Sequence, residues 1–230
     1  MVNNGLIAYP LIGIIGDVGV GKTLYAVDLI RKFYAQYKDT RRVFTNITLL
    51  EIPYIEINFD DFKKDDFTTK KYDLVIKHKN PESDKEKDII REVLETGLSF
   101  EDGLLIIDEI QEGSDAYNFL NQDVQKLNHF ISQVRKYDLD LIVVSQRLSF
   151  ISKRLRQLLN YNFMIDYNVY YDKELKLKTF TTGIVKIRYF RVGTEGRKVY
   201  KVETKDLRGN FDFYFTKQKI KSEVKKNDKL

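Results

Sequence analysis

Cysteine is absent from the 230-residue chain, and histidine occurs only as His78 and His129. Without cysteine there are no disulfides, thiolate zinc sites or cysteine nucleophiles, which fits a reducing compartment. The two histidines lie far apart, and neither has a second ligand at metal spacing, so each reads as an ordinary surface or satisfied core residue. Long apolar runs are also missing. The longest, around Leu6 to Ile15, is broken by Pro10 and Gly13 and is too short to span a bilayer, and nothing resembles a signal peptide. The expectation is a soluble, cytoplasmic protein.

Hydrophobic residues make up 43% of the chain, enough for a full core in one domain with an appendage. The net charge is +5, and it is unevenly spread. Residues 1–146 hold 18 Lys and Arg against 25 Asp and Glu, whereas residues 147–230 hold 21 against 9. A basic C-terminal part points to a polyanion, with nucleic acid and a membrane surface both candidates; a solvated basic face with a lysine-rich tail is the plainer reading.

One stretch organises the rest. Gly16-Asp17-Val18-Gly19-Val20-Gly21-Lys22-Thr23 has a glycine, four free positions and Gly-Lys-Thr. Its backbone N–H groups would curl around phosphates, Lys22 would supply a point charge near the outer ones, and the Thr23 hydroxyl would meet Mg2+. The flanks agree. Leu11 to Ile15 reads as a buried strand, and Ala26, Ile30, Phe33 and Tyr37 recur at helical spacing over about Lys22 to Tyr37. A bound nucleoside triphosphate, taken as ATP, follows.

Arg42 to Ile47 is predicted as a second strand, Tyr54 to Asn58 as a short extended piece and Leu74-Val75-Ile76 as a further strand. After the turn signal Asn80 to Ser83, Ser83 or Asp84 would cap a helix through Ile89, Ile90, Val93 and Leu94. Residues 51–102 are thus an elaboration of the core. Gly103 to Ile107 is an aliphatic strand ending in Asp108-Glu109, which places two acids where an open α/β sheet binds ligands. In such nucleotidases the first acid holds Mg2+ beside Thr23 and the second, Glu109, polarises the attacking water.

Leu127, Phe130, Ile131 and Val134 mark an amphipathic helix ending near Arg135, before the aliphatic strand Leu139 to Ser145. Gln146 would follow that strand beside the terminal phosphate, or would make an ordinary strand-end hydrogen bond. A short helix through Ile151, Leu155, Leu158 and Leu159 carries Arg154 and Arg156, either arginine fingers for a neighbour's phosphates or partners for surface acids. From Tyr161 to residue 215, aromatic and basic residues alternate in strands. These suit stacking and phosphate contact, or an edge sheet protected by lysines. Residues 216–230 carry six lysines and read as a mobile tail.

The ordered set of the loop, Thr45-Asn46-Ile47, Ile106 to Glu112, the run Val134 to Gln146 and Leu155-Arg156 resembles the zonula occludens toxin (Zot)-type domain. That domain is a phage-encoded ATPase group within the HerA/FtsK superfamily of DNA-translocating P-loop motors, and the resemblance covers about residues 8–170. It implies an α/β P-loop NTPase fold with a RecA-like, mainly parallel sheet over residues 1–160, followed by a β-rich extension at 161–215. It further implies Lys22 and Thr23 on phosphate and Mg2+, Asp108 on Mg2+ and Glu109 as catalytic glutamate. Gln146 becomes a sensor at the end of a strand inserted between the loop strand and the Asp-Glu strand. Arg135 and Arg156 occupy places where the family has arginines, so either could act across a homo-oligomeric ring. Filamentous-phage members carry a membrane-spanning segment after the ATPase domain and none is visible here, which favours a soluble motor on double-stranded DNA serving viral genome packaging or virion assembly. Rival readings are a small-molecule or nucleoside kinase and a non-catalytic, nucleotide-stabilised assembly module.

Overall fold

A computed structural model describes residues 11–63, 69–80, 89–113, 121–172, 177–193 and 196–214. Residues 1–10, the predicted turn at Pro81 to Ser83 with its helix cap, part of each turn that the sequence predicts at Asp172-Lys173 and at Gly193 to Gly196, and the lysine-rich tail lie outside the described residues.

The unbroken aliphatic runs become the centre of a sheet covered on both faces. Strands β1 (Leu11–Ile15), β6 (Gly103–Ile107) and β7 (Leu139–Ser145) are buried along their whole length. Because side chains alternate across a strand, Ile12, Ile14, Leu104, Ile106, Ile142 and Val144 enter one core while Leu11, Ile15, Leu105, Ile107, Leu141 and Val143 enter the other. The first core is closed by α1 (Lys22–Tyr37) through Ala26, Ile30 and Phe33. The second is closed by α2 (Gln122–Gln133) through Leu127, Phe130 and Ile131, and by α3 (Lys153–Leu158) through Leu155. Asn121 caps α2 by accepting the Asp123 N–H at 2.8 Å, and Ser152 caps α3 by accepting the Leu155 N–H at 3.3 Å.

The remaining strands are β2 (Arg42–Thr45), β3 (Tyr54–Glu56), β4 (Tyr72–Lys79), β5 (Ile89–Leu98), β8 (Tyr161–Asp172), β9 (Leu177–Gly193) and β10 (Gly196–Asp206). The sheet has ten strands in the order β10-β9-β8-β1-β7-β6-β2-β3-β4-β5. From β8 to β3 every pairing is parallel, and the two margins are antiparallel. β7 lies between β1 and β6, as the resemblance implies.

The predicted helix through Ile89, Ile90, Val93 and Leu94 is wrong: these residues form β5, an edge strand antiparallel to β4. Their spacing mimics a helical stripe, but no core stands beside them. Ile90, Val93 and Leu94 stay exposed, and the backbone is satisfied by β4 instead.

Arg41 fastens the end of the sheet away from the phosphate loop. Its guanidinium donates to Asp102 Oδ1 (3.0 Å), Asp140 Oδ2 (2.8 Å) and the carbonyls of Gly103 and Asp138 (3.0 and 2.9 Å), tying together the starts of β2, β6 and β7. At the other end the strands open toward the site.

Candidate active site

Residues 16–23 turn from the end of β1 into α1. Gly21 has φ +97°, a left-handed conformation costly for any residue with a Cβ, and its carbonyl accepts the Tyr25 N–H at 2.9 Å to start the helix. Gly16 packs on β8 so closely that a Cβ would stand 2.4 Å from the Ile165 carbonyl oxygen. Lys22 is buried, and its Nζ donates to the Asp17 carbonyl at 2.9 Å, so the ammonium lies folded over the loop. Burial pulls the Lys22 pKa down, opposed by the nearby carboxylates of Glu109, Asp108 and Asp17.

Eighty-five positions along the chain, Asp108 leaves the end of β6 and meets the loop. Thr23 Oγ1 donates to Asp108 Oδ2 at 2.7 Å. Burial pushes the Asp108 carboxyl up, against the Thr23 hydrogen bond. A hydroxyl and a desolvated carboxylate converging on one point are the two protein oxygens expected of a Mg2+ site that otherwise uses phosphate and water. Thr23 and Asp108 would hold that ion, whose chemistry is charge neutralisation on the transferring phosphoryl group. No group of three or more His, Cys, Asp or Glu side chains that could hold a metal ion occurs among the described residues. His78 bonds Glu51 at 2.7 Å and His129 faces Gln133 at 2.8 Å, both away from these residues.

Glu109 sits in left-handed backbone at φ +52°, a conformation that turns its side chain off the strand direction. Its carboxylate accepts from Gln111 Nε2, and Gln111 Oε1 in turn accepts the Ser145 hydroxyl at 2.8 Å. The glutamate is therefore held through Gln111 to the end of β7. A second clamp is Asn46, just after β2, whose amide donates to the Asp108 carbonyl (2.9 Å) and accepts the Asp108 N–H (2.8 Å). From the other side comes Tyr214, placed by a bridge to Leu49; burial raises its phenol pKa, and the charge of Asp108 adds to the shift.

Gln146 follows β7 half-buried at the same sheet edge; the strand-end hydrogen bonds there are made by Ser145. The two arginines stand elsewhere. Arg135 is exposed, with a 3.4 Å contact to Asn160 Oδ1, and Asn160 holds Leu11 at the start of β1, opposite the loop. Arg156 is on α3, four residues before Asn160, and its buried Nε lacks a hydrogen-bond partner. Neither reaches the loop of its own chain. Asn46, Gln111, Ser145 and Tyr214 received no role from the sequence. For Asn46 and Ser145 the available signal was a polar residue at the C-terminal end of a buried strand.

A mainly parallel sheet with helices on both faces, a glycine loop between β1 and α1, and an acid from a nearby strand bonded to the loop threonine define an α/β protein of the P-loop NTPase class. The chain belongs to the Zonular occludens toxin (Zot) family, whose model matches residues 13–207. Among solved structures it is similar to the N-terminal domain of zonular occludens toxin from Neisseria meningitidis, with 17% identity, a TM-score of 0.52, and coverage of 90% of this chain and 100% of that one. It also matches the genome packaging NTPase B204 from Sulfolobus turreted icosahedral virus 2 in complex with AMP, with 14% identity, a TM-score of 0.45, and coverage of 84% and 98%. No curated protein sequence matches the chain. No helix among the described residues is long and apolar enough to cross a membrane.

Proposed function

We propose that this chain is an ATP-hydrolysing motor of a virus or mobile element that moves double-stranded DNA, in genome packaging or virion assembly, as a homo-oligomeric ring in the host cytoplasm. The observation that carries the hydrolytic part is the 2.7 Å bond from Thr23 to Asp108, with Glu109 next in the chain. In this reading, a bound triphosphate draws Lys22 Nζ away from the Asp17 carbonyl onto the outer phosphates. Glu109 exchanges Gln111 for the attacking water and orients it in line with the departing group, with Gln146 at the strand end as sensor.

A nucleoside kinase needs an acceptor pocket and has no use for the carboxylate after Asp108; the Glu109–Gln111–Ser145 chain favours hydrolysis over transfer. Support for the DNA part is the excess of Lys and Arg after residue 147 and membership of the family. The test is phosphate release with and without duplex DNA. Hydrolysis is expected to rise with DNA and to fall by about 100-fold or more in both Lys22→Ala and Glu109→Gln. Activity surviving the first change or untouched by the second overturns the mechanism, and phosphate transfer to a nucleoside without DNA selects the kinase.

A further inference from the structure

A nucleotide on the loop has two ends, and the site sets the direction of one. Thr23, Asp108 and Glu109 place the terminal phosphate toward β6 and β7, on one side of β1. The nucleoside end must then leave on the other side, over β8 and β9. There the loop abuts an aromatic pair: a Cβ on Gly19 would stand 3.1 Å from the Tyr167 hydroxyl, and the Tyr167 ring packs on Phe180 at 4.2 Å between centroids and 35° between planes.

Tyr167 is half-buried and rests on the edge of the core under α1, but its partner stands open. Phe180 is 47% exposed, Val169, which faces it across the strands, is 53% exposed, and Val18 at the loop tip is 56% exposed. The backbone is shaped to present it. Between Tyr167↔Val185 and Val169↔Phe180 the β8–β9 register jumps, with Gly183 at φ +81° inside the jump, so Phe180 can lie against Tyr167. Apolar side chains left open to water beside a ligand loop mark a surface that a ligand covers.

We propose that Tyr167 and Phe180 form the stacking platform for the nucleobase of the bound nucleotide. The inference rests on the reading of the loop as an ATP site. A ring face recognises the base through its π surface, so the platform tolerates all four bases in place of selecting adenine.

Calorimetric titration of the full chain with Mg-ATP and with Mg-tripolyphosphate, which lacks sugar and base, separates the two ideas. Phe180, the exposed member of the pair, is the residue to change. Phe180→Ala is expected to weaken ATP by about 5- to 100-fold and tripolyphosphate by less than about twofold, with Phe180→Trp restoring ATP affinity and with GTP and CTP following ATP. Equal loss for both ligands, or no loss of ATP, overturns the platform. Unchanged ATP binding with weakened single-stranded DNA binding assigns the aromatics to DNA and likewise overturns it. A wild-type chain that binds neither ligand brings down the nucleotide reading itself, whereas one that binds both while Phe180→Ala changes neither fails the platform alone.

Discussion

Asp108 is half-buried, its carboxyl desolvated enough to raise its pKa, and it is kept there by a hydroxyl and by the Asn46 clamp on its backbone. Its folded pKa lies above the ordinary value of 3.8, so the unfolded chain ionises more readily and stability is lost as pH rises from 3.8 through the folded value. Asp108→Asn keeps an acceptor for Thr23 and removes the charge. Without nucleotide at neutral pH it should raise Tm by roughly 2–4 °C, while hydrolysis is lost. The gain should shrink as pH falls through the folded value and vanish below 3.8, where the carboxyl is neutral in both folded and unfolded chains; thermal scans at several pH values check this, and a constant difference across pH rejects it. At this scale the sequence was legible where spacing is fixed by the chain itself, as in Gly21-Lys22-Thr23. Asn46, Gln111 and Ser145 were not, because their roles come from the sheet order that sets β2, β6 and β7 side by side.

Among the elements, α1 is tied to the β9–β10 pair by a polar chain. Tyr25 and Tyr189 share a hydrogen bond at 3.0 Å, Tyr189 donates to Glu203, and Lys205 reaches Asp28 while lying 5.1 Å over the Tyr25 ring. Burial pushes both phenols up, so neither titrates in the physiological range. Tyr189→Phe leaves the buried Tyr25 hydroxyl and one Glu203 oxygen without this partner and should cost about 1–2 kcal/mol in urea unfolding. A change within about 0.3 kcal/mol would mean the tie is replaced by water. Elements with continuous aliphatic runs were readable because a doubly covered strand is apolar along its middle, with polar residues such as Asp140 and Ser145 held at its ends by specific partners. β5 was not, since an edge strand bears no obligation to alternate and its apolar residues stay in water.

On the scale of the whole molecule, the two candidate finger arginines concern a neighbouring subunit, as the sequence reading has them. Arg135 and Arg156 belong to the part of the chain that leads back to the start of β8, away from the Thr23–Asp108 pair. If they serve catalysis, they serve another subunit. Mixing Lys22→Ala chains, which keep both arginines, with Arg135→Ala/Arg156→Ala chains, which keep the loop, should give ATPase activity at least about threefold above the sum of the separate preparations. No gain on mixing removes the arginines from catalysis.

Besides the Tyr25–Tyr189 and Lys205–Asp28 ties, the β8–β10 strands are fastened at each end. β8 is hydrogen-bonded along β1, and beyond β10 the turn Arg208–Phe213 is fastened to α1, where Arg31 binds the Gly209 carbonyl and lies 3.9 Å over the Phe213 ring; Leu50 then takes the Phe213 carbonyl at 2.9 Å. A flap on one hinge could swing freely, but a handle riveted at both ends cannot. The phosphate loop is the short span of chain between those two rivets, so the strands that carry the basic excess and the loop that would hold the nucleotide share the same anchors.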